Sequence, residues 1–180
     1  SFLKTQNKGL ASVRAGNVIG GGDWANDRLI PDILRSFDTN EPIRVRNPDA
    51  TRPWQHVLEP LSGYLTLANK LYDNFEDFAE GWNFGPAEND VQSVKWILDK
   101  MSAKWPNSSW RVDSSINPYE AGFLKLDISK AKERLDWKPT WGLEHTIDRI
   151  IHWHRAWKNN EDIQQLCLTE IDNFTKDMNK

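Results

Sequence analysis

The 180-residue sequence contains a single cysteine, Cys167, so no disulfide can form within the chain. Nothing therefore indicates an oxidising compartment, and we expect a cytoplasmic location. No apolar run approaches the roughly 18 residues that a membrane span needs, which predicts no association with a membrane. The first residues also lack the apolar segment of a signal peptide.

No basic block interrupts the balance of 23 Lys and Arg against 26 Asp and Glu, which gives a net charge of −3. Proteins that bind nucleic acid carry a basic patch or stripe, so we expect no nucleic-acid partner. The four histidines have no cysteine or carboxylate pair that would complete a metal ligand set, and we expect no metal site. A G-x-S-x-G motif is missing, and Cys167 has no nearby histidine, so nothing indicates nucleophilic catalysis.

Helical and strand patterns alternate along the chain. Apolar spacing predicts helices from Arg28 to about residue 37 and over about 58–72, 94–105, 129–135, 143–157 and 163–174. Ser93 and Asp127 are predicted to cap two of them. β-branched or alternating runs predict strands over 10–20, 43–46, 82–84, 110–112 and 123–126. The alternation predicts an α/β fold with a parallel sheet, and the small number of buried strands indicates the tail of a larger α/β protein.

Residues 20–25, Gly-Gly-Gly-Asp-Trp-Ala, match the letters of a dinucleotide-binding fingerprint after a strand. That fingerprint needs a helix that starts at the glycines and an acidic residue about 20 positions later at the end of a second strand. The sequence Asp-Trp-Ala-Asn-Asp is a poor helix start, and the candidates Asp38 and Glu41 flank a turn. The pattern therefore favours a Gly-rich turn over a cofactor site.

Four polar or aromatic residues in predicted loops and strand ends are candidates for ligand contacts. Arg52 lies in 46–56, predicted as a polar connection, where its guanidinium could hold phosphate or be a solvated surface group. Asn17 lies at the end of an apolar strand, where a ligand contact and a structural turn are both open. Trp24 and Trp54 lie in predicted polar loops, and each could line a pocket or pack.

Two stretches of the chain resemble extended short-chain dehydrogenase/reductases that act on nucleotide sugars. Residues 14–34, R-A-G-N-V-I-G-G-G-D-W-x-x-D-R-L-I-P-D-I-L, are similar to the family's segment after the catalytic tyrosine. Residues 46–65, R-N-P-D-A-T-R-P-W-Q-H-V-L-E-P-L-S-G-Y-L, resemble the CDP-glucose 4,6-dehydratases more narrowly, because related enzymes carry R-D-W or R-D-Y in place of R-P-W. Residues 80–86, 119–127 and 168–174 agree with that narrower match, so the resemblance covers essentially the whole chain.

The resemblance implies the C-terminal part of an extended short-chain dehydrogenase/reductase, with residual Rossmann strands and helices plus a small α/β substrate-binding domain. Residues 1–22 and 47–90 would be the tail of the NAD-binding domain, and residues 23–46 and 91–180 would bind the nucleotide sugar. The implied enzyme is a homodimeric lyase that converts CDP-glucose to CDP-4-keto-6-deoxyglucose and water, with internal recycling of NAD, in dideoxy-sugar and O-antigen biosynthesis, a branch of lipopolysaccharide biosynthesis.

The family's catalytic Tyr-x-x-x-Lys pair does not occur in the sequence. The fourth residue after each tyrosine is Ala68 after Tyr64, Glu76 after Tyr72 and Phe123 after Tyr119. We therefore expect the catalytic residues and most of the NAD site to lie outside this chain, and the isolated chain to be inactive. The alternatives are a non-catalytic nucleotide-sugar-binding or partner-binding module and a fragment of a dTDP- or UDP-sugar dehydratase or epimerase.

The resemblance also implies roles for individual residues. The positions that match the family's substrate contacts are Asn17, Arg28, Leu29, Ile30, Arg52 and Glu120. Asn17 would contact substrate phosphate, Arg28 would be the charged contact along the nucleotide, and Arg52 would pair with the diphosphate. Glu120 falls where relatives reach the ribose or base, although Y-E-A departs from their usual pattern. Gly16 and Asn83 would approach the nicotinamide of NAD.

Overall fold

The computed structural model describes residues 9–106, 108–113 and 122–180 of the chain. Its strands are β1 (Ser12–Ala15), β2 (Asn17–Ile19), β3 (Ile43–Val45), β4 (Thr51–His56), β5 (Gly81–Phe84), β6 (Val91–Ser93) and β7 (Trp110–Val112). Its helices are α1 (Leu29–Thr39), α2 (Leu58–Asp73), α3 (Phe75–Phe78), α4 (Val94–Ala103), α5 (Ser129–Leu135), α6 (Leu143–Lys158) and α7 (Ile163–Met178), with a 3-10 turn at Glu88–Asp90. The predicted α/β class is confirmed.

The strands of the described residues form three small sheets. β1 pairs with β5 and β3 pairs with β7, both in parallel. β4 lies between β2, which runs parallel to it, and β6, which runs antiparallel. Parallel pairing therefore dominates, as the alternation of helices and strands predicted.

The predicted strand over residues 10–20 is divided at Gly16 into two strands with different partners. β1 follows β5 as far as Phe84, whereas β2 follows β4 from Trp54 onward. A Cβ atom at Gly16 would lie 2.2 Å from the carbonyl oxygen of Pro53, so only glycine allows the two backbones to approach so closely. The prediction of one buried strand was wrong, because β1 is largely exposed beside β5.

The predicted loop over residues 46–56 was wrong in its second half, which forms the central strand β4. A proline normally argues against a central strand because it cannot donate to the ladder. Pro53 is the last residue of β4 paired with β6, and pairing with β2 begins at Trp54, so the missing N–H falls where β4 changes partner. Trp54 is therefore a buried strand residue and not a loop residue.

The predicted strand over 123–126 is reduced to a single bridge between Phe123 and Thr51. Ser93 and Asp127, the two residues predicted to cap helices, both accept a main-chain N–H at the start of a helix. The Ser93 hydroxyl accepts the N–H of Trp96 at 3.2 Å, and the Asp127 carboxylate accepts the N–H of Ser129 at 2.9 Å. The Ser93 prediction is confirmed, because Ser93 is the N-cap residue of α4. The Asp127 prediction was wrong by one position, because the N-cap residue of α5 is Ile128.

Two hydrophobic cores hold these elements together. The first, called the cleft core, comprises Ile19, Ile30, Ile33, Leu34, Phe37, Ile43, Val45, Trp54, Ile97, Leu98, Met101, Leu143, Ile147, Ile150 and Ile151. The second core comprises Leu67, Trp82, Phe84, Ile128, Ala131, Leu135 and Trp137. The division into an NAD-binding and a nucleotide-sugar-binding domain stays a prediction.

Helix α2 packs on the second core through the face that carries Gly63 and Leu67. A Cβ atom at Gly63 would lie 2.3 Å from the Phe84 ring, so the helix and β5 are in close contact. The opposite face, with Leu65 69% exposed and Tyr72 92% exposed, points to solvent. Among the described residues, no helix combines the length and the hydropathy that crossing a membrane requires.

Candidate functional site

A cleft of about 920 Å³ opens beside the N-terminus of α1, strand β3 and the junction of β1 with β2. Its lining includes six of the positions for which the sequence predicted a contact, namely Gly16, Asn17, Arg28, Leu29, Ile30 and Arg52. Asn83 lies elsewhere, on β5. Glu120 lies outside the described residues. The fold therefore brings residues from three separate segments of the chain to one cleft.

Helix α1 presents its N-terminus to this cleft. Arg28 is the N-cap residue with an extended backbone, and no side chain caps the first turn. The main-chain N–H groups of Leu29 and Ile30 are thus available, and the positive end of the helix dipole favours a negatively charged group there. The first-turn acid Asp32 forms an ion pair with Arg35.

Arg52 supplies a fixed positive charge to the cleft wall. Its position is set by β4, in which it pairs with Gln92 of β6. The side chain is nearly buried, and its Nη1 donates a hydrogen bond to the carbonyl oxygen of Thr51 at 3.0 Å. A guanidinium is charged in a protein, so Arg52 contributes a positive charge to this part of the cleft.

Asn17 is the first residue of β2 and not the last residue of a strand, because the predicted strand breaks at Gly16. It is half-buried and pairs with Trp54, which also lines the cleft. The other candidate tryptophan, Trp24, lies elsewhere, with its ring centroid 4.6 Å from that of Trp157. Of the two tryptophans for which a pocket was considered, only Trp54 contributes to the cleft.

The Gly-rich segment after β2 packs against helix α6. A Cβ atom at Gly21 would lie 2.2 Å from Cγ of Trp153, and Gly22 has a φ of +76° beside the same ring. No helix follows these glycines directly, since α1 starts at Leu29. The geometry supports the Gly-rich turn and not the dinucleotide fingerprint.

Sequence reasoning missed Arg44, and it quoted Arg46 only as part of the predicted connection. Both line the cleft from β3 and the residue that follows it. The signal was present in the alternation Ile43-Arg44-Val45-Arg46, because two buried side chains place the intervening arginine on the other face of a strand. The carboxylates of the lining are Asp23, Asp27 and Asp32, which come from the Gly-rich segment and α1.

A buried polar cluster links β4, α2 and residues 140–141, away from the cleft lining. Glu59 Oε1 accepts the N–H of Trp141 at 2.6 Å, and Oε2 accepts the N–H of Thr140 at 2.9 Å. Burial nevertheless raises the pKa of Glu59 to about 7. Burial lowers the pKa of His56, whose ring packs on Trp141, to about 4, and the charges of Arg149 and His145 act in the same direction.

The side chains that could bind a metal ion do not cluster in the part of the chain that the structure describes. Within residues 9–106, 108–113 and 122–180, no three His, Cys, Asp or Glu side chains gather so that they could hold an ion. Cys167 lies in α7, where its Sγ accepts a hydrogen bond from Trp153 Nε1 at 3.3 Å. The polar groups of the cleft lining include arginines, the Asn17 amide, three aspartates and the N-terminus of α1.

The chain is 56% identical over 167 residues to CDP-glucose 4,6-dehydratase of Salmonella typhimurium. The predicted resemblance to CDP-glucose 4,6-dehydratase is confirmed. The match covers 92% of this chain and 46% of that relative, so the chain spans about half the length of the dehydratase. UDP-glucuronic acid decarboxylase 1 of Xenopus tropicalis is 23% identical over 86% of this chain and 35% of its own length. No protein-family model matches the chain.

Solved structures of nucleotide-sugar enzymes share the fold of this chain. UDP-glucuronic acid 4-epimerase from Bacillus cereus, solved with UDP-glucuronic acid and NAD, has a TM-score of 0.71 at 19% identity over 87% of this chain and 48% of its own. dTDP-glucose 4,6-dehydratase from Bacillus anthracis, solved with NAD, has a TM-score of 0.66 at 18% identity over 92% of this chain and 50% of its own. The predicted fold class of an extended short-chain dehydrogenase/reductase is confirmed.

Proposed function

We propose that this chain is the nucleotide-sugar-binding part of a CDP-glucose 4,6-dehydratase. The observation that carries the proposal is the cleft, in which Asn17, Arg28 and Arg52 meet the uncapped N-terminus of α1. The diphosphate of CDP-glucose would bind there, and the sugar and base would extend along the cleft. The 56% identity to the Salmonella enzyme supports CDP-glucose as the ligand.

The chemistry of the cleft suits a diphosphate. Phosphate oxygens accept hydrogen bonds from guanidinium groups in a bidentate manner and from main-chain N–H groups at helix N-termini. Arg52 is nearly buried within β4, so it loses little conformational freedom when a ligand binds. The cleft volume of about 920 Å³ also lies in the range of small-molecule pockets.

The full reaction that we propose for the whole enzyme converts CDP-glucose to CDP-4-keto-6-deoxyglucose and water and needs NAD as its hydride carrier. The two residues predicted to approach the nicotinamide make contacts within the protein. Gly16 lacks a Cβ atom, which allows its backbone to lie close to Pro53. Nδ2 of Asn83 donates a hydrogen bond to the carbonyl oxygen of Asp127 at 3.1 Å. We therefore assign substrate binding, and no redox step, to this chain, and nicotinamide contacts of Gly16 and Asn83 stay predictions.

A non-catalytic module that binds a nucleotide sugar is the second candidate. The cleft supports it as well, because binding a nucleotide sugar needs no catalytic Tyr-x-x-x-Lys pair. Both candidates bind a nucleotide sugar, so a binding measurement tests both. A turnover measurement separates both from a chain that is a dehydratase by itself. A dTDP- or UDP-sugar enzyme would differ in the preferred base.

Calorimetric titration of the 180-residue chain with CDP-, dTDP- and UDP-glucose tests the proposal. We expect CDP-glucose to bind most tightly and no dehydratase turnover when NAD and CDP-glucose are both supplied. Arg52→Gln should weaken binding of all three ligands by about 10- to 100-fold, because a hydrogen bond to a charged group contributes about 1.5–3 kcal/mol.

Arg14→Gln is the matched control, because Arg14 is an exposed arginine of β1 outside the cleft lining. Since Arg52 is nearly buried, thermal unfolding of each variant establishes that it is folded before binding is compared. A loss confined to one base would contradict the role of Arg52 at the diphosphate. Turnover by the 180-residue chain would contradict the assignment of binding alone.

A further inference from the structure

The Gly-rich segment, residues 20–27, joins β2 to α1 beside the cleft. Asp23 and Asp27 contribute to the cleft lining, and the segment leads directly into Arg28, the N-cap residue of α1. The N-terminus of α1 is uncapped by any side chain and open to a ligand. Its position in the cleft therefore depends on how the Gly-rich segment is held.

Trp24 holds the Gly-rich segment from outside the cleft. Its ring packs on helix α6, with its centroid 4.6 Å from that of Trp157 and 6.2 Å from those of Trp153 and His154. The Trp24 side chain is 48% exposed and that of Trp157 is 43% exposed, so the two rings meet at the surface. Helix α6 is a fixed support, because it contributes four residues to the cleft core.

The main chain of the same segment is held by helix α1. Arg35 Nη1 donates a hydrogen bond to the carbonyl oxygen of Trp24 at 3.4 Å, and Nη2 donates to that of Ala25 at 3.2 Å. The Asp23 carboxylate accepts the N–H of Ala25 at 3.0 Å. Trp24 thus contacts α6 through its ring and α1 through its carbonyl group. It connects the two helices four residues before Arg28.

We propose that Trp24 is a positioning residue that holds Arg28 and the N-terminus of α1 in the conformation that binds the phosphate groups of a nucleotide ligand. The inference rests on the proposed function for the identity of the ligand. Trp24 acts without touching the ligand, because it lies outside the cleft lining. Its contact with α6 raises the fraction of molecules in which the segment is in place, and the apparent dissociation constant increases as that fraction falls.

The location of Trp24 favours this role over a general contribution to stability. Trp24 belongs to neither the cleft core nor the second core. Its ring is half exposed, and the segment that it holds is the one that borders the cleft. Removing the ring should therefore loosen this segment and leave the rest of the fold in place.

Titration of the 180-residue chain with CDP and with inorganic pyrophosphate tests the inference. Trp24→Ala should raise both dissociation constants by about three- to tenfold, the range that one aromatic pair supports. Trp24→Phe should restore most of the affinity, because it keeps a ring against Trp157. Trp157→Ala should weaken binding by a similar factor, although Trp157 lies outside the cleft lining. The control Tyr72→Ala removes an exposed aromatic side chain of α2 and should leave binding unchanged.

Hydrogen exchange of the main-chain amides provides a readout that global stability does not move. Without ligand, exchange within residues 22–30 should be faster in Trp24→Ala than in the wild type, and saturating CDP should slow it again. The loss of affinity in the double variant Trp24→Ala, Arg28→Gln should be smaller than the product of the two single losses, because Trp24 acts through Arg28.

The outcomes separate this inference from the proposed function. Unchanged CDP binding in Trp24→Ala would overturn the inference while the function stands on Arg52. Faster exchange spread evenly over the chain would show a general loss of stability and would overturn it as well. If the wild type binds neither CDP nor pyrophosphate, the proposed function itself fails, and the inference fails with it.

Discussion

Positive side chains flank both the second core and the cleft, but the two regions use them differently. Beside the second core, Glu80 accepts hydrogen bonds from both Lys130 and Arg134. Lys130 Nζ lies 4.7 Å from the centroid of the Trp82 ring, and the Arg134 guanidinium lies 5.3 Å from the same ring. Each cation there has a carboxylate and an aromatic partner, so its contribution is to the fold.

The cleft shows the opposite arrangement within the described residues. Arg28, Arg44 and Arg46 are exposed at its lining and form no ion pair there. An exposed charge without an opposite partner gains no ion-pair stabilisation, so these arginines are available to an anionic group. From this difference we infer that separate sets of charged residues serve stability and the proposed ligand binding, and substitutions in each region test that separation.

The largest expected effect comes from the second core. Phe84 is fully buried, with its ring edge-on to Trp137 at 5.0 Å and to Tyr64 at 5.5 Å between centroids. Phe84→Ala should lower the free energy of unfolding by about 3–5 kcal/mol, measured by urea denaturation, because it leaves a cavity. The affinity of the folded variant for CDP should be unchanged.

Phe84→Leu serves as the matched control, because it retains most of the apolar volume and should cost less than Phe84→Ala. If the affinity for CDP falls in step with stability across the two variants, the second core also shapes the cleft. The separation between the two regions would then be lost.

The buried pair at the junction of the two regions predicts opposing pH effects. His56 ends β4, which reaches the cleft core, and Glu59 lies in the first turn of α2, which packs on the second core. The raised pKa of Glu59, from 4.5 to about 7, makes its contribution complete below pH 4.5 and lost as pH rises to about 7. The lowered pKa of His56, from 6.5 to about 4, makes stability rise between about pH 4 and 6.5.

Single substitutions should separate these two pH dependences. In Glu59→Gln only His56 remains, so the free energy of unfolding should rise by about 3 kcal/mol between pH 4 and 6.5. In His56→Gln it should fall by a similar amount between pH 4.5 and 7. Urea denaturation across this range measures both, with His152→Gln as a control at an exposed histidine. Parallel curves for all variants would show that neither buried group titrates as described.

Helices were predictable from the sequence because their apolar spacing records which face is buried. The stripe Ile30, Ile33, Leu34 and Phe37 is buried in α1 as predicted. In α2 the apolar residues on one side instead face solvent, since Gly63 and Leu67 carry the contact with β5. Spacing alone does not reveal which of two apolar faces meets the core.

The strands and the cleft were harder to predict because they depend on contacts between distant segments. β4 contains Pro53 and the charged Arg52, and its pairing with β2 and β6 makes it a strand. Asn17, Arg28 and Arg52 were found through resemblance to a family. The alternation in β3 indicates that Arg44 lies on the exposed face of the strand, but only the packing of distant segments shows that this face lines the cleft.

The smallest expected effect concerns the ion pairs beside the second core. The hydrogen bond from Lys130 holds the pKa of the exposed Glu80 below its usual range, so its contribution is present near neutral pH and lost as pH falls through that lowered pKa. Glu80→Gln should lower the melting temperature slightly at pH 7, less at high salt, and leave CDP affinity unchanged.

The control is Glu76→Gln, at an exposed carboxylate on α3, which should change neither the melting temperature nor the affinity for CDP. If the two variants melt alike, the paired charges contribute no more to stability than an isolated exposed carboxylate. The contrast with the cleft would then rest on the unpaired arginines alone.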